Sequence, residues 1–211
     1  MIHIENISKL FTKDFIENPL IETFDAGKIN VSSGRLVVCD PLITSDMPVF
    51  STLFPIGEFQ ILVHKERESN CIAYVELVFS NSKITKWELA VSDGQTVKDL
   101  EGEEIYGYPV ESGMGCFMDY ETQQGLNHLE KKLFDRKGED FMGIYEEFFH
   151  EHFYQQDGAI NQFAILKPDE EKEGTIFAFE TGYGEGFYAS YIGFDQNEKP
   201  VKLVSELIEI I

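Results

Sequence analysis

Two apolar runs, "GEFQILVHKE" (57–66) and "CIAYVELVFS" (71–80), constrain this chain more than any other feature. Both are rich in β-branched and aromatic residues, and only the polar "RESN" separates them. Such runs suit a pleated, buried surface, so the pair predicts an antiparallel hairpin. "INVSSGRLVVCD" adds a Ser-Ser-Gly turn between two short apolar segments, with Val37, Val38 and Cys39 entering the core as a strand. "ITKWELAV" continues the pattern through Ile84, Trp87, Leu89 and Val91, so the first half reads as mostly sheet.

After Asp119 the hydrophobic period changes. Leu126, Leu129, Leu133 and Phe134 recur at helical spacing, Asp119 suits the N-cap, and Arg136 and Lys137 before Gly138 suit the end. A second helix is expected from Glu139 to about Tyr154, with Phe141, Ile144, Tyr145, Phe148 and His152 on one face. "AINQFAIL", "GTIFAFE", "GFYASYIGFD" and "PVKLVSELIEI" then return to strand patterns, separated by "KPDEEKEG", "TGYGE" and "QNEK". The expected fold is α+β: a predominantly antiparallel β-sheet interrupted by a central helical pair. With 211 residues and 43% hydrophobic content the chain can bury a sizeable core, which suits one domain over 1–211 with residues 1–28 as an N-terminal extension.

Charge narrows the classes of partner. The chain carries 38 acidic and 17 basic residues, a net charge of -21, which repels phosphates and argues against sequence-independent nucleic-acid or anionic-membrane binding. A basic protein would be attracted. No eighteen-residue apolar run exists, and "MIHIENISKLFTKDF" has neither a basic leader nor an apolar signal core, so a cytoplasmic protein is expected. Cys39, Cys71 and Cys116 are odd in number and widely spaced among apolar neighbours, which reads as reduced, buried thiols rather than a disulfide framework or a zinc site.

The candidate chemistry lies at turns. "GYPVESGMGCFMDYE" (107–121) packs three glycines, a proline, a serine, a cysteine and three carboxylates into fifteen residues. Ser112 to Cys116 is expected to form a tight connection before Phe117 and Met118 enter the core. Ser112 lacks a nucleophile-elbow pattern, and Cys116 reads as packing unless a histidine meets it in space. Gly182 to Gly186 precedes a strand rather than a helix, so it reads as a turn and not as a phosphate cradle. His150 and His152 are two apart on the expected helix and point in different directions, so no metal site and no cofactor are expected. Asp40, Glu111, Asp119, Glu185 and Asp195 all stand at turns or caps, where carboxylates accept local backbone hydrogen bonds. Together with Ser112 they would also suit an acidic pocket that holds a metal, runs acid–base chemistry or receives a cationic side chain.

"SGRLVVCDPL", "FPIGEFQILV", "YGYPVESGMGCFMD", "TGYGEGFYASYIGFD" and "PVKLV" resemble, in order and spacing, the Domain of Unknown Function family four-two-four-one, a bacterial family. The resemblance covers most of the chain after about Ile29 and implies a single domain with no assigned activity. The family pattern has aspartate where this chain has Glu111 and Glu185, and an acidic-aromatic pair after the final "LV" where this chain has "SEL". Two functional classes follow. One is a non-catalytic module that binds a basic protein, as an antitoxin binds a toxin. The other is a hydrolase or metal-assisted enzyme using Asp40, Asp119 and Glu185, with Ser112 or Cys116 as nucleophile.

Overall fold

The computed structural model describes residues 2–12, 16–44, 47–102, 104–154 and 158–210. It is an α+β fold dominated by antiparallel strands, which fall into two sheets rather than one. The larger sheet runs in the order β1 (Ile21–Val31), β3 (Gly57–Glu66), β4 (Ile72–Val78), β11 (Pro200–Glu206), β10 (Gly186–Phe194) and β5 (Lys86–Leu89), and β6 (Tyr108–Val110) also pairs with β10. The smaller sheet runs β2 (Leu36–Cys39), β7 (Met114–Asp119), β9 (Ile176–Glu180) and β8 (Phe163–Leu166).

Burial on both faces explains why so many strands are continuously apolar. Six consecutive residues of β4, Ile72 to Leu77, are buried, as is all of β7. Ile72, Val75 and Leu77 face a core between the sheets, where they join Ile61, Phe117, Phe177 and Leu203. Ala73 and Tyr74 face outward, under Ile7 of α1 (Ile2–Leu10) and Phe11. The outer face of the smaller sheet presents Val37, Cys39, Cys116, Met118 and Ile176 to the remaining helical segments. The expected β3–β4 hairpin forms, with Gln60 opposite Val78 and Lys65 opposite Ile72.

The first expected helix is α2 (Tyr120–Lys137). Asp119 is its N-cap, accepting the Glu121 N–H at 2.9 Å, and Gly138 ends it at a φ of +57°. Leu126 and Leu133 are buried, whereas Phe134 is exposed and rests edge-on against Phe141 at 5.9 Å. The second helix departs from expectation. Gly143, at a φ of +100°, cannot continue a right-handed helix, so the chain restarts at Ile144 with a π-helical turn (Tyr145–Phe149) that runs into α3 (His150–Phe153). The wider turn shifts the phase by one residue. Burial therefore falls on Phe149 and Phe153, one place beyond the expected Phe148 and His152. Among the described residues no helix is long and apolar enough to cross a membrane.

Two local expectations are adjusted as well. Cys39 and Cys116 are buried opposite one another in the β2–β7 ladder, but Cys71 is only half-buried. The tight connection is Glu111–Gly113, with Gly113 at a φ of +77°, and Met114 already begins β7. Phe117 and Met118 are both fully buried, on opposite faces: Phe117 meets Phe179 edge-on at 5.6 Å between the sheets, while Met118 packs toward α2. Phe117→Ala should cost about 3–5 kcal/mol in chemical denaturation, since the rigid sheets cannot close over the lost ring. An unchanged midpoint would contradict this placement.

Candidate functional site

The end of β2 delivers Asp40 to the 111–113 turn. Its Oδ2 accepts the N–H groups of Glu111 (3.0 Å) and Ser112 (2.8 Å), and its Oδ1 accepts the Leu42 N–H (2.9 Å) and the Ser112 hydroxyl (2.8 Å). Ser112 Oγ in turn accepts the Met114 N–H at 3.2 Å. This fully buried carboxylate thus satisfies three donors of the 111–113 turn and one, the Leu42 N–H, of its own loop. The Ser112 hydroxyl is committed to the same closure.

Asp119 performs a matching task at the other end of the ladder. Besides capping α2, it accepts the Ser33 N–H at Oδ2 (2.9 Å) and the hydroxyls of Ser33 (2.8 Å) and Ser32 (3.2 Å) at Oδ1, fixing the turn between β1 and β2. Because Asp119 pairs with Leu36, four residues before Asp40, the two carboxylates are separated along the ladder by roughly 13 Å.

The six candidate residues therefore divide. Asp40, Glu111 and Ser112 are joined by hydrogen bonds. The Glu185 turn lies beside them, since the Thr181 N–H bonds the Gly113 carbonyl at 3.0 Å and a Cβ on Gly113 would lie 3.8 Å from Gly184 Cα. Glu111 and Glu185 are themselves exposed. Asp195 sits at the far end of β10, where it accepts the N–H groups of Asn197 (2.8 Å) and Lys199 (3.0 Å); the latter contributes most to holding its carboxyl below the usual range. The 182–186 glycines form the β9–β10 turn, with Gly182 and Gly184 at positive φ and the Tyr188 hydroxyl donating to the Gly184 carbonyl at 2.7 Å.

The remaining sequence candidates are also packed into the fold. Burial first, and then the adjacent Cys39, push the Cys116 thiol well up, and its Sγ donates to the Cys39 carbonyl at 3.3 Å. His150 stacks on Tyr154 at 4.7 Å, and Glu147 pairs with Lys137. Among the described residues no three His, Cys, Asp or Glu side chains are grouped to hold a metal. Ser112 does line a cavity of about 280 Å³, which it shares with Tyr145, Phe153, Tyr154 and Glu180.

One polar row went unrecognised in the sequence. Thr23, His64, Glu76 and Lys202 run diagonally across β1, β3, β4 and β11 on the outer face of the larger sheet. Thr23 Oγ lies 2.8 Å from His64 Nδ1, His64 Nε2 lies 2.9 Å from Glu76 Oε2, and Lys202 Nζ lies 2.6 Å from Glu76 Oε1. His64 thus bridges the Thr23 hydroxyl at Nδ1 and the Glu76 carboxylate at Nε2. Only Thr23 is exposed, at the sheet edge; Phe11 covers His64 edge-on at 5.5 Å. Burial opposes charge on Glu76, but the His64 hydrogen bond and the charges of His64 and Lys202 outweigh it and hold the carboxyl below its ordinary range. Glu206, on the same face, behaves oppositely: burial and then the nearby Glu209 push it up to about 7. The available signal was a charged residue at an inward position of an apolar strand, as in "ILVHKE", "YVELV" and "PVKLVSE".

Asp40→Asn keeps the side-chain shape but turns an amide N–H₂ toward donors, so it should cost about 1–3 kcal/mol in chemical denaturation. A neutral substitution would deny the turn-closing role. Glu206 makes the opposite kind of prediction. A folded-state pKa raised above the unfolded one contributes stability below about pH 4.5 that is lost as pH rises through about 7. Glu206→Gln should remove that slope, and at pH 8 it should exceed the natural protein by at most about 3 kcal/mol. Denaturation at pH 5 and pH 8 checks this, and equal slopes would refute it.

No curated protein and no solved structure matches this chain. A family model does match, over residues 29–205, a span that runs from the last residues of β1 into β11 and includes Asp40, Asp119 and the 111–113 turn. By that match the chain belongs to the family described as protein of unknown function DUF4241.

Proposed function

We propose that this protein is a non-catalytic module that binds a basic protein surface, as a toxin-neutralising partner would, and that it binds neither nucleic acid nor membrane. The observation that supports this reading is where its acid lies. Among the described residues the buried acids are Asp40, Glu76, Asp119 and Glu206; the other acidic side chains remain half-buried or exposed. Against only 17 basic residues, they give the surface a strong negative field that attracts a cationic partner before contact.

The buried aspartates contribute to this reading by holding turns. Asp40 and Asp119 give their lone pairs to backbone and serine donors at opposite ends of one ladder, and this favours scaffold roles for them over shared acid–base chemistry. The β8–β9 loop offers the plainest steering surface, because Glu170, Glu171 and Glu173 are exposed there beside a half-buried Asp169.

Affinity capture from the native cell followed by binding kinetics across a salt series tests the proposal. A captured basic partner should associate more slowly as salt rises, because charges are screened beyond about 8 Å at physiological ionic strength. Neutralising Asp169, Glu170, Glu171 and Glu173 together should slow association about tenfold or less, with dissociation nearly unchanged and the fold intact. A salt-independent association rate would overturn the reading.

A further inference from the structure

The cavity beside Ser112 has a chemistry of its own. It lies between the 111–113 turn, the end of β9 and the π-helical turn, and its volume of about 280 Å³ is at the lower edge of small-ligand sites, a size suited to one side chain rather than a cofactor. Its polar groups are the Glu180 carboxylate, the Tyr145 and Tyr154 phenols and Ser112, and Met114 and Phe153 add apolar wall. Ser112 is already committed to Asp40 and Met114, so the carboxylate and the two rings are the groups that face a guest.

Three features select the charge of that guest. Among the described residues, Glu180 makes no ion pair, in contrast to Glu147 and Glu76. Burial first, then the Tyr154 phenol and the carboxylates of Glu146 and Glu180, push the Tyr145 phenol up, so it stays neutral and keeps an electron-rich ring face. His150 stacks on one face of Tyr154 and braces the ring at the cavity wall. Aromatic faces around a carboxylate receive a cation, and a planar guanidinium both stacks on tyrosine and forks onto a carboxylate. The apolar wall suits the methylene stem that precedes such a head group.

We infer that this cavity is a specificity pocket for an arginine side chain, with Glu180 as its anionic partner and Tyr145 and Tyr154 as its aromatic walls. The inference rests on the reading that the protein binds a basic partner, and assigns to that partner an arginine anchor. The acidic surface then governs encounter, and the pocket governs residence.

The test uses the full-length protein and two small probes, N-acetyl-arginine methylamide and its uncharged isostere N-acetyl-citrulline methylamide, followed by NMR. The arginine probe should shift the Met114 methyl and the Tyr145 and Tyr154 ring resonances saturably, and the citrulline probe should bind roughly tenfold more weakly or less. Glu180→Gln and, separately, Tyr154→Leu should each weaken the arginine probe by roughly tenfold without changing the thermal midpoint. With the captured partner, Glu180→Gln should speed dissociation and leave association unchanged, the reverse of the loop neutralisation. Equal binding of the two probes, or shifts that ignore both substitutions, would overturn the pocket whatever the partner does. Saturable arginine binding at this site with no basic protein captured would instead overturn the partner reading and leave the pocket standing.

Discussion

A strand buried along its whole length must close its ends without water, and among the described residues the longest such strand is β7. All six of its residues are buried, between β2 and β9 and beneath α2, so no edge of it can spill its polar groups into solvent. Asp40 and Asp119 resolve the problem at its two ends. One carboxylate gathers the donors of the turn entering β7; the other gathers the donors of the β1–β2 turn and starts α2 directly where β7 stops. The turn that carries Ser112, and with it one wall of the cavity, is held in place by this closure. Loss of either carboxylate would remove the shared acceptor of several part-buried turn donors at once, a larger penalty than the worth of any one bond.

The outer face of the larger sheet follows the same logic with charge in place of turns. Glu76 is stabilised as an anion by His64 and Lys202, and removing one member would strand the others in a dry layer under Phe11 and α1. Glu206 is instead pushed toward its protonated form by burial and by the nearby Glu209. Two carboxylates on one face are thereby driven apart in behaviour by what stands within a few ångströms of each. The row's only exposed member is Thr23 at the sheet edge, so its geometry fits a cross-strand brace that joins four strands.

Local signals in the sequence carry the elements but not their assembly. The β3–β4 hairpin is legible because a short polar link joins two apolar runs, and α2 because its cap, its apolar period and its glycine stop agree. The division into two sheets is not legible, since strands such as β2 and β4, buried on both faces, lack the alternation that would mark which face meets which partner. The π-helical turn eluded a reading built on a 3.6-residue period, although Gly143 was available as a break. Asp40 and Asp119 were recognisable one at a time as turn and cap residues. Their placement at opposite ends of one ladder depends on register, which pairs Leu36 with Asp119 over a separation no local pattern records. His64, Glu76 and Lys202 meet for the same reason: they are diagonal neighbours in space and distant in sequence.

The split between buried and exposed acid also separates two kinetic roles. Buried carboxylates surrounded by donors or cations project little field, whereas exposed ones act over about a Debye length and set how fast an oppositely charged surface arrives. Steering of that kind is indifferent to which cation arrives, because lysine and arginine look alike at such distance. Discrimination requires a place where the arriving group loses its water and meets fixed partners. On the proposed reading, Glu180, half-buried at the end of β9 in a cavity it shares with Tyr145 and Tyr154, supplies such fixed partners, while the exposed glutamates of the β8–β9 loop do not. In the proposed complex, charge at the loop and shape at the pocket would therefore act independently, one through the rate of encounter and the other through the lifetime.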